Sequence, residues 1–255
     1  MTARHDDTMR REARRLRRAG GAPAEPLAQA LKDASRRRPD AVASAWYERI
    51  EAERRRLRAS DQALSGGRNT TATVGEVTKK ASVPTYQAEL LFNLVRRLDA
   101  RRCLEMGTCV GISGAYLAAA MTTGRGGRLL SLEGHEDRAT VARDTWRRLG
   151  FDSAEVLVGR FSSTLATALD SGPYDLVFVD GHHDGDATID YVTRIRMASR
   201  PGALLVLDDV DWSEGMRAAW GELQVQLSGS TISDLGRLGI VRLSPEDAGL
   251  PSDPA

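Results

Sequence analysis

The sequence predicts an α/β fold in which helices cover both faces of a parallel sheet. From residue 102 onward, short apolar runs alternate with longer stretches of helical periodicity. Strands that alternate with helices of roughly 10–15 residues form parallel sheets with right-handed crossovers. A glycine or a polar residue follows each of the first five runs. Because ligands bind beyond the carboxyl ends of such strands, these positions are the candidate site.

The predicted strands and helices follow one another closely along the chain. In order they are RCLEM and ISGAYLAAAM, RLLSLE and RATVARDTWRRLG, AEVLVG and SSTLATAL, YDLVFVD and ATIDYVTRIRMAS, ALLVLDDV and EGMRAAWGELQ, and the last strand LGIVRL. We expect a doubly wound, mostly parallel seven-stranded sheet.

The N-terminal third has a different character. Residues 1–24 are polar, rich in arginine and end in AGGAPAEP, a composition that predicts a disordered tail. Residues 25–64 have helical periodicity interrupted at Pro39, which predicts a helical extension. The main domain is then 65–245, followed by a flexible tail over 246–255. Its first segment, SGGRNTTATVG, is a predicted loop in which residues 65–73 are a candidate lid, and EVTKKAS and TYQAELLFNLVRRL are candidate helices.

Charge and composition limit the function classes. The net charge is only +1, but residues 1–60 alone carry a net charge of +7. Those arginines are explained either by binding to nucleic acid or an acidic partner, or by solvated helix faces. No apolar run reaches the ~20 residues of a membrane span, and we expect no membrane partner. The two cysteines, Cys103 and Cys109, are predicted to be reduced, which is typical of a cytoplasmic protein.

The segment LEMGTCVGIS carries the first binding motif. Gly107 and Gly111 predict a tight turn that a ligand can approach, and Ser113 is a candidate helix cap. The N-terminus of the following helix would favour a carboxylate or phosphate. Glu133, at the next strand end, could accept both hydroxyls of a ribose; this feature alone fits NAD as well as other adenosine ligands. The segment lacks the G-x-G-x-x-G pattern of dinucleotide-binding turns.

Five motifs in fixed order carry a more specific signal: LEMGTCVGIS, SLEGHE, VGRF, YDLVFVDGHH and PGALLVLDDVDW. Together they resemble class I S-adenosylmethionine-dependent methyltransferases, over about residues 65–243. More narrowly, they are similar to the cation-dependent small-molecule O-methyltransferase branch. The resemblance implies a Rossmann-like fold, S-adenosylmethionine as cofactor and a small hydroxylated acceptor.

The resemblance also assigns cofactor contacts to residues at the strand ends. In chain order these are Glu105 and Gly107 beside the methionine part, Thr108, Gly111 and Ser113 in the turn that holds its carboxylate, Glu133 and Gly134 at the ribose, Arg160 and Phe161 near the adenine, and Asp180 facing the transferred methyl group.

A divalent-cation site is implied by the same resemblance. Its ligands would be Asp180, Asp208 and Asp209, although the family often has Asn at the last position. A hard cation such as Mg²⁺ would offset three neighbouring carboxylates and would lower the pKa of a bound hydroxyl. His182 or His183 would act as a general base or a further ligand; alternatively, one of them only hydrogen-bonds the loop.

Other functions fit parts of the sequence. The basic arm would suit an RNA or protein methyltransferase. A methyltransferase-fold subunit without catalysis and, more distantly, an NAD-dependent dehydrogenase are further alternatives. The N-terminal helices could mediate a homodimer. Trp212 and Trp220 either line the acceptor pocket or pack a helix on the sheet.

Overall fold

The computed structural model describes residues 2–20, 24–64 and 72–251. The helices in these ranges are α1 (Thr2–Ala19), α2 (Ala24–Arg36), α3 (Ala41–Arg58), α4 (Val74–Ala81), α5 (Thr85–Leu98), α6 (Ile112–Thr122), α7 (Glu136–Leu149), α8 (Phe161–Asp170), α9 (Gly185–Met197) and α10 (Glu214–Gln226). The strands are β1 (Ala63–Leu64), β2 (Ala72–Thr73), β3 (Arg102–Met106), β4 (Arg128–Glu133), β5 (Ala154–Val158), β6 (Leu176–Val179), β7 (Leu204–Leu207), β8 (Thr231–Asp234) and β9 (Gly239–Arg242).

A seven-stranded sheet forms the centre, in the order β5-β4-β3-β6-β7-β9-β8. The first five strands are parallel, and β9 pairs antiparallel with both β7 and β8. The predicted mostly parallel sheet of seven strands is therefore confirmed, although β8 was not located from the sequence. Strand order reverses between β3 and β6, which places a ligand crevice at the carboxyl ends of these two strands.

Both faces of the sheet are covered. Phe178 packs into the core formed with α5, α6 and α7, whereas Val177 and Val179 pack into the core formed with α8, α9 and α10. All four residues of β6 are buried, as are all four of β7. Continuous apolar runs of this kind are expected where helices cover both faces of a parallel sheet.

The N-terminal segment differs from the predicted disordered tail. Residues 2–19 form α1, and its Met9, Ala13 and Leu16 are almost completely buried. Their spacing of four and three residues puts them on one helix face, which packs against α2. The many arginines of α1 made this apolar face hard to recognise in the sequence. Arg15, for example, pairs with Glu12 one turn earlier. The predicted helices on either side of Pro39 are present as α2 and α3, and Asp40 caps α3.

The C-terminal segment is also more ordered than the predicted flexible tail, as far as residue 251. The amide of Gly249 donates to the carbonyl of Arg196 in α9 (2.9 Å), and the buried Asp247 accepts a hydrogen bond from Ser230. Residues 252–255 and most of the candidate lid, residues 65–71, lie outside the described residues. Among the helices that are described, none is both long enough and apolar enough to cross a membrane.

Candidate functional site at the strand ends

The glycine turn after β3 lies against the end of β6. Gly107 has φ = 109°, and a Cβ there would lie 1.9 Å from the carbonyl oxygen of Asp180. Only glycine is compatible with both the left-handed backbone and this approach. The predicted methionine-side turn and the predicted methyl-facing aspartate are thus brought side by side at the reversal of strand order.

The start of α6 is fixed by Gly111 and Trp146. Gly111 has φ = 84°, and its carbonyl accepts a hydrogen bond from the indole Nε1 of Trp146 in α7 (2.8 Å). Gly111 is the N-cap of α6, so the prediction that Ser113 caps this helix is wrong. Ser113 lies inside the first turn instead, where its hydroxyl interacts with Glu105.

Glu105 is a fully buried carboxyl group beneath this turn. The Ser131 hydroxyl donates to its Oε2 (2.6 Å) and is itself 2.5 Å from the hydroxyl of Thr108. Oε1 has no hydrogen-bond partner within the described part of the chain. Burial raises the pKa of Glu105 to about 7, and hydrogen bonds from Ser113 and Ser131 oppose this rise.

Glu133 ends β4 on the other side of the turn. Its two carboxylate oxygens accept hydrogen bonds from the backbone amides of Cys109 (2.8 Å) and His135 (3.0 Å). A carboxylate oxygen can accept more than one hydrogen bond, so both retain capacity for a hydroxyl. A Cβ on the neighbouring Gly134 would meet nothing within 4 Å, so there is open space beside this glycine, while Glu133 itself is buried.

Phe161, at the start of α8, extends the same surface. Its ring contacts Tyr191 edge to face, with centroids 6.0 Å apart, and a Cβ on Gly181 would lie 2.9 Å from it. Phe161 therefore lies beside the loop that follows Asp180. Arg160, the N-cap of α8, is exposed.

Asp180, His183 and Asp209 form a cluster at the ends of β6 and β7. One ligand atom from each lies within 4.8 Å of the others, and His183 Nε2 is 3.9 Å from Asp180 Oδ1 and 3.6 Å from Asp209 Oδ2. Burial, followed by the charges of nearby aspartates, raises the pKa of both carboxyl groups. His183 (φ = 40°) and Asp209 (φ = 55°) adopt left-handed backbone conformations, which are uncommon outside glycine.

Asp208 has a different environment from the one predicted. Arg237 donates from Nε to Asp208 Oδ1 (2.8 Å) and from Nη2 to Asp208 Oδ2 (3.0 Å). The cluster thus contains Asp180 and Asp209 of the implied ligands together with His183, which the sequence left open as a further ligand, while Asp208 forms a bidentate ion pair. The other histidine of the pair, His182, turns away and has its Nδ1 3.0 Å from the hydroxyl of Tyr191.

The two candidate pocket tryptophans have separate environments. Trp212 is 68% exposed, and its ring centroid lies 6.0 Å from that of His183. Trp220 is buried, and its indole Nε1 donates to Asp234 in β8 (2.9 Å). Trp212 thus borders the cluster, while Trp220 packs α10 on the sheet.

Comparisons with known proteins agree with this arrangement. A family model described as a methyltransferase domain matches residues 104–210. A catechol O-methyltransferase of Mycobacterium tuberculosis is 34% identical over 158 residues, which cover 62% of this chain and 70% of that protein. The catechol O-methyltransferase of Niastella koreensis is 31% identical over 153 residues, covering 59% of this chain and 66% of that protein.

The chain belongs to the class I S-adenosylmethionine-dependent O-methyltransferases. The fold agrees: the O-methyltransferase TomG of Streptomyces achromogenes, solved with S-adenosylmethionine, aligns with a TM-score of 0.55 at 24% identity over 81% of this chain and 91% of that chain. The protein is therefore an enzyme that methylates oxygen on a small molecule, and the NAD-dependent and non-catalytic alternatives are wrong.

The strand-end residues of this methyltransferase fit its cofactor. Glu105 Oε1 is a buried acceptor with no partner in the described chain, which suits an ammonium group such as that of the methionine part. Glu133 offers carboxylate oxygens with remaining acceptor capacity, and the next residue, Gly134, borders open space, which suits ribose hydroxyls.

Sequence reasoning missed several residues that shape the methyltransferase site. Glu105 accepts a hydrogen bond from Ser131, and the carbonyl of Gly111 accepts one from Trp146. His182 lies within hydrogen-bond distance of the Tyr191 hydroxyl, and Asp208 pairs with Arg237. Each of the missed residues lies on another secondary-structure element or a distant loop. Ser131 gave a weak signal, since it is a polar residue inside the largely buried, apolar run of β4.

Proposed function

We propose that this methyltransferase methylates one hydroxyl of a small aromatic diol, with a divalent cation bound by Asp180, His183 and Asp209. The observation that carries the proposal is the cluster itself: two carboxylates and one imidazole converge within 4.8 Å beside the Gly107 turn. Carboxylate oxygens suit Mg²⁺ and Mn²⁺, and an imidazole is compatible with Mn²⁺.

The chemistry requires orientation and an activated oxygen. When bound, the cation would lower the pKa of an acceptor hydroxyl. The hydroxyl oxygen then forms a bond to the methyl carbon, the carbon–sulfur bond breaks, S-adenosylhomocysteine leaves and the hydroxyl proton passes to water. Asp180 follows β6 directly beside the Gly107 turn, so it can orient the acceptor toward the cofactor methyl group.

Two observations support an aromatic diol as acceptor. The relatives from Mycobacterium tuberculosis and Niastella koreensis are catechol O-methyltransferases by name. Trp212 presents an exposed aromatic ring next to His183, and such a ring can pack against an aromatic acceptor. Adjacent hydroxyls can also bind one cation together.

The test is methyl transfer from S-adenosylmethionine to catechol by the purified full chain. We expect activity that EDTA abolishes and that Mg²⁺ or Mn²⁺ restores. Asp180→Asn should remove most of it, whereas Asp190→Asn, an exposed aspartate on α9, should not. Activity that is insensitive to EDTA would contradict the cation.

A cytoplasmic location stays a prediction of the sequence, a homodimer stays an option that the sequence leaves open, and contact with nucleic acid stays an alternative that the sequence does not favour. The S-adenosylmethionine-dependent activity on a small molecule requires none of them.

A further inference from the structure

Arg237 lies in the loop between β8 and β9 and reaches across to the end of β7. Its Nε is 2.8 Å from Asp208 Oδ1 and 3.0 Å from Asp209 Oδ1, and its Nη2 is 3.0 Å from Asp208 Oδ2. Asp208 is completely buried at its side chain, while Arg237 is 37% exposed. A single guanidinium thus holds both neighbouring aspartates.

Both oxygens of Asp208 are occupied by this contact. Oδ1 also accepts a hydrogen bond from the backbone amide of Asp209 (2.8 Å). The oxygens of Asp209 are divided instead, because Oδ1 faces Arg237 and Oδ2 faces His183 at 3.6 Å. Asp209 therefore retains one oxygen that points into the cluster, whereas Asp208 retains none that is free of Arg237.

The position of Arg237 is supported from the N-terminal helices. His5 of α1 and Tyr86 of α5 stack with ring centroids 4.4 Å apart, and both line the same small gap as Arg237. Arg237 consequently borders this gap as well as the carboxylates of Asp208 and Asp209.

We propose that Arg237 is a positioning residue that acts as an internal counter-cation: it removes Asp208 from the cation's ligands and leaves Asp180, His183 and Asp209 to bind it. This inference rests on the proposed function. Arg237 offsets one of the three aspartate charges, and its fork geometry matches a carboxylate in a way that lysine does not. The cation site is thereby less negative than three free carboxylates would be, and one of its ligands is an imidazole.

The test is Mn²⁺ affinity of the cofactor-free full chain, measured by calorimetry and by the electron paramagnetic resonance signal of free Mn²⁺. Removing a positive charge beside a divalent cation should strengthen binding, so Arg237→Ala should bind Mn²⁺ at least about tenfold more tightly than the wild type. Arg237→Lys should remain within about threefold of the wild type, because the charge is kept. Arg217→Ala, on α10, removes an arginine whose Nη1 donates to the carbonyl of Asp211 and should leave the affinity unchanged.

A second variant covers the case in which Arg237→Ala fails to fold, since it leaves a buried carboxylate unpaired. Asp208→Asn should weaken Mn²⁺ binding less than about tenfold, because Asp208 is outside the ligand set. Asp180→Asn, which removes a ligand, should weaken it by more than about a hundredfold.

The outcomes separate this inference from the proposed function. If the wild type binds Mn²⁺ but Asp208→Asn does not, or Arg237→Ala binds no better, the role of Arg237 is overturned while the cation stands. If only Arg237→Ala binds Mn²⁺, the counter-cation role is supported and the cation of the proposed function is contradicted. If neither protein binds Mn²⁺, both are contradicted.

Discussion

At the scale of single residues, the site depends on side chains whose partners are far away in the sequence. Gly107 and Glu133 could be selected from the sequence because each ends a predicted strand, and strand ends meet at one edge of a parallel sheet. Arg237 could not be selected, since it is separated from Asp208 by 29 positions and follows an edge strand that the sequence did not reveal. His182 and His183 are adjacent, and only their contacts in the fold show that His183 faces the aspartates while His182 faces Tyr191.

The pH dependence of stability tests the burial of Glu105. Its pKa is about 7 in the fold against 4.5 when exposed, so the folded chain keeps a proton that the unfolded chain releases. The contribution of Glu105 to the free energy of unfolding is therefore fully present below pH 4.5. This contribution, on the order of 3 kcal/mol, is lost as the pH rises through 7. We expect Glu105→Gln to lose less free energy of unfolding between pH 5 and pH 8 than the wild type, as measured by urea unfolding at the two pH values.

Glu155→Gln, which removes an exposed carboxyl group from β5, is the matched control. Its free energy of unfolding should fall between pH 5 and pH 8 by as much as that of the wild type. An unchanged pH dependence in Glu105→Gln would show that Glu105 titrates normally in the fold.

At the scale of elements, hydrophobic periodicity decides what can be predicted. The strands from β3 to β7 and the helices between them were found because continuous apolar runs alternate with helical ones. Strand β8 was missed because only one residue of TISD is buried, as is usual for an edge strand. Helix α1 was missed because its three buried apolar residues stand among many arginines, and composition alone indicated disorder.

Leu16→Ala tests whether α1 is part of the folded core. Leu16 is 1% exposed, and truncating a buried leucine leaves a cavity, so we expect a loss of about 2–4 kcal/mol in the free energy of unfolding. Val42→Ala, at a 53% exposed position in α3, should cost less than about 0.5 kcal/mol. Thermal or urea unfolding of both variants measures the difference, and equal small losses would indicate that α1 is detached in solution.

At the scale of the whole molecule, the reversal of strand order separates two tasks. The cofactor contacts predicted at the ends of β3 and β4 lie on one side of the Gly107 turn, and the aspartate cluster at the ends of β6 and β7 lies on the other. This plan followed from the sequence because the motifs stand in strand order. The different partners of the two neighbouring aspartates did not, since they depend on Arg237, which holds Asp208 from a distant loop.

This separation is tested most directly by calorimetric titration of two variants with S-adenosylhomocysteine and, separately, with Mn²⁺. Glu133→Ala should lose at least about tenfold in affinity for S-adenosylhomocysteine while binding Mn²⁺ like the wild type. Asp180→Asn should show the reverse pattern. If both variants lose both ligands to the same extent while remaining folded, the division of the site into a cofactor side and a cation side is contradicted.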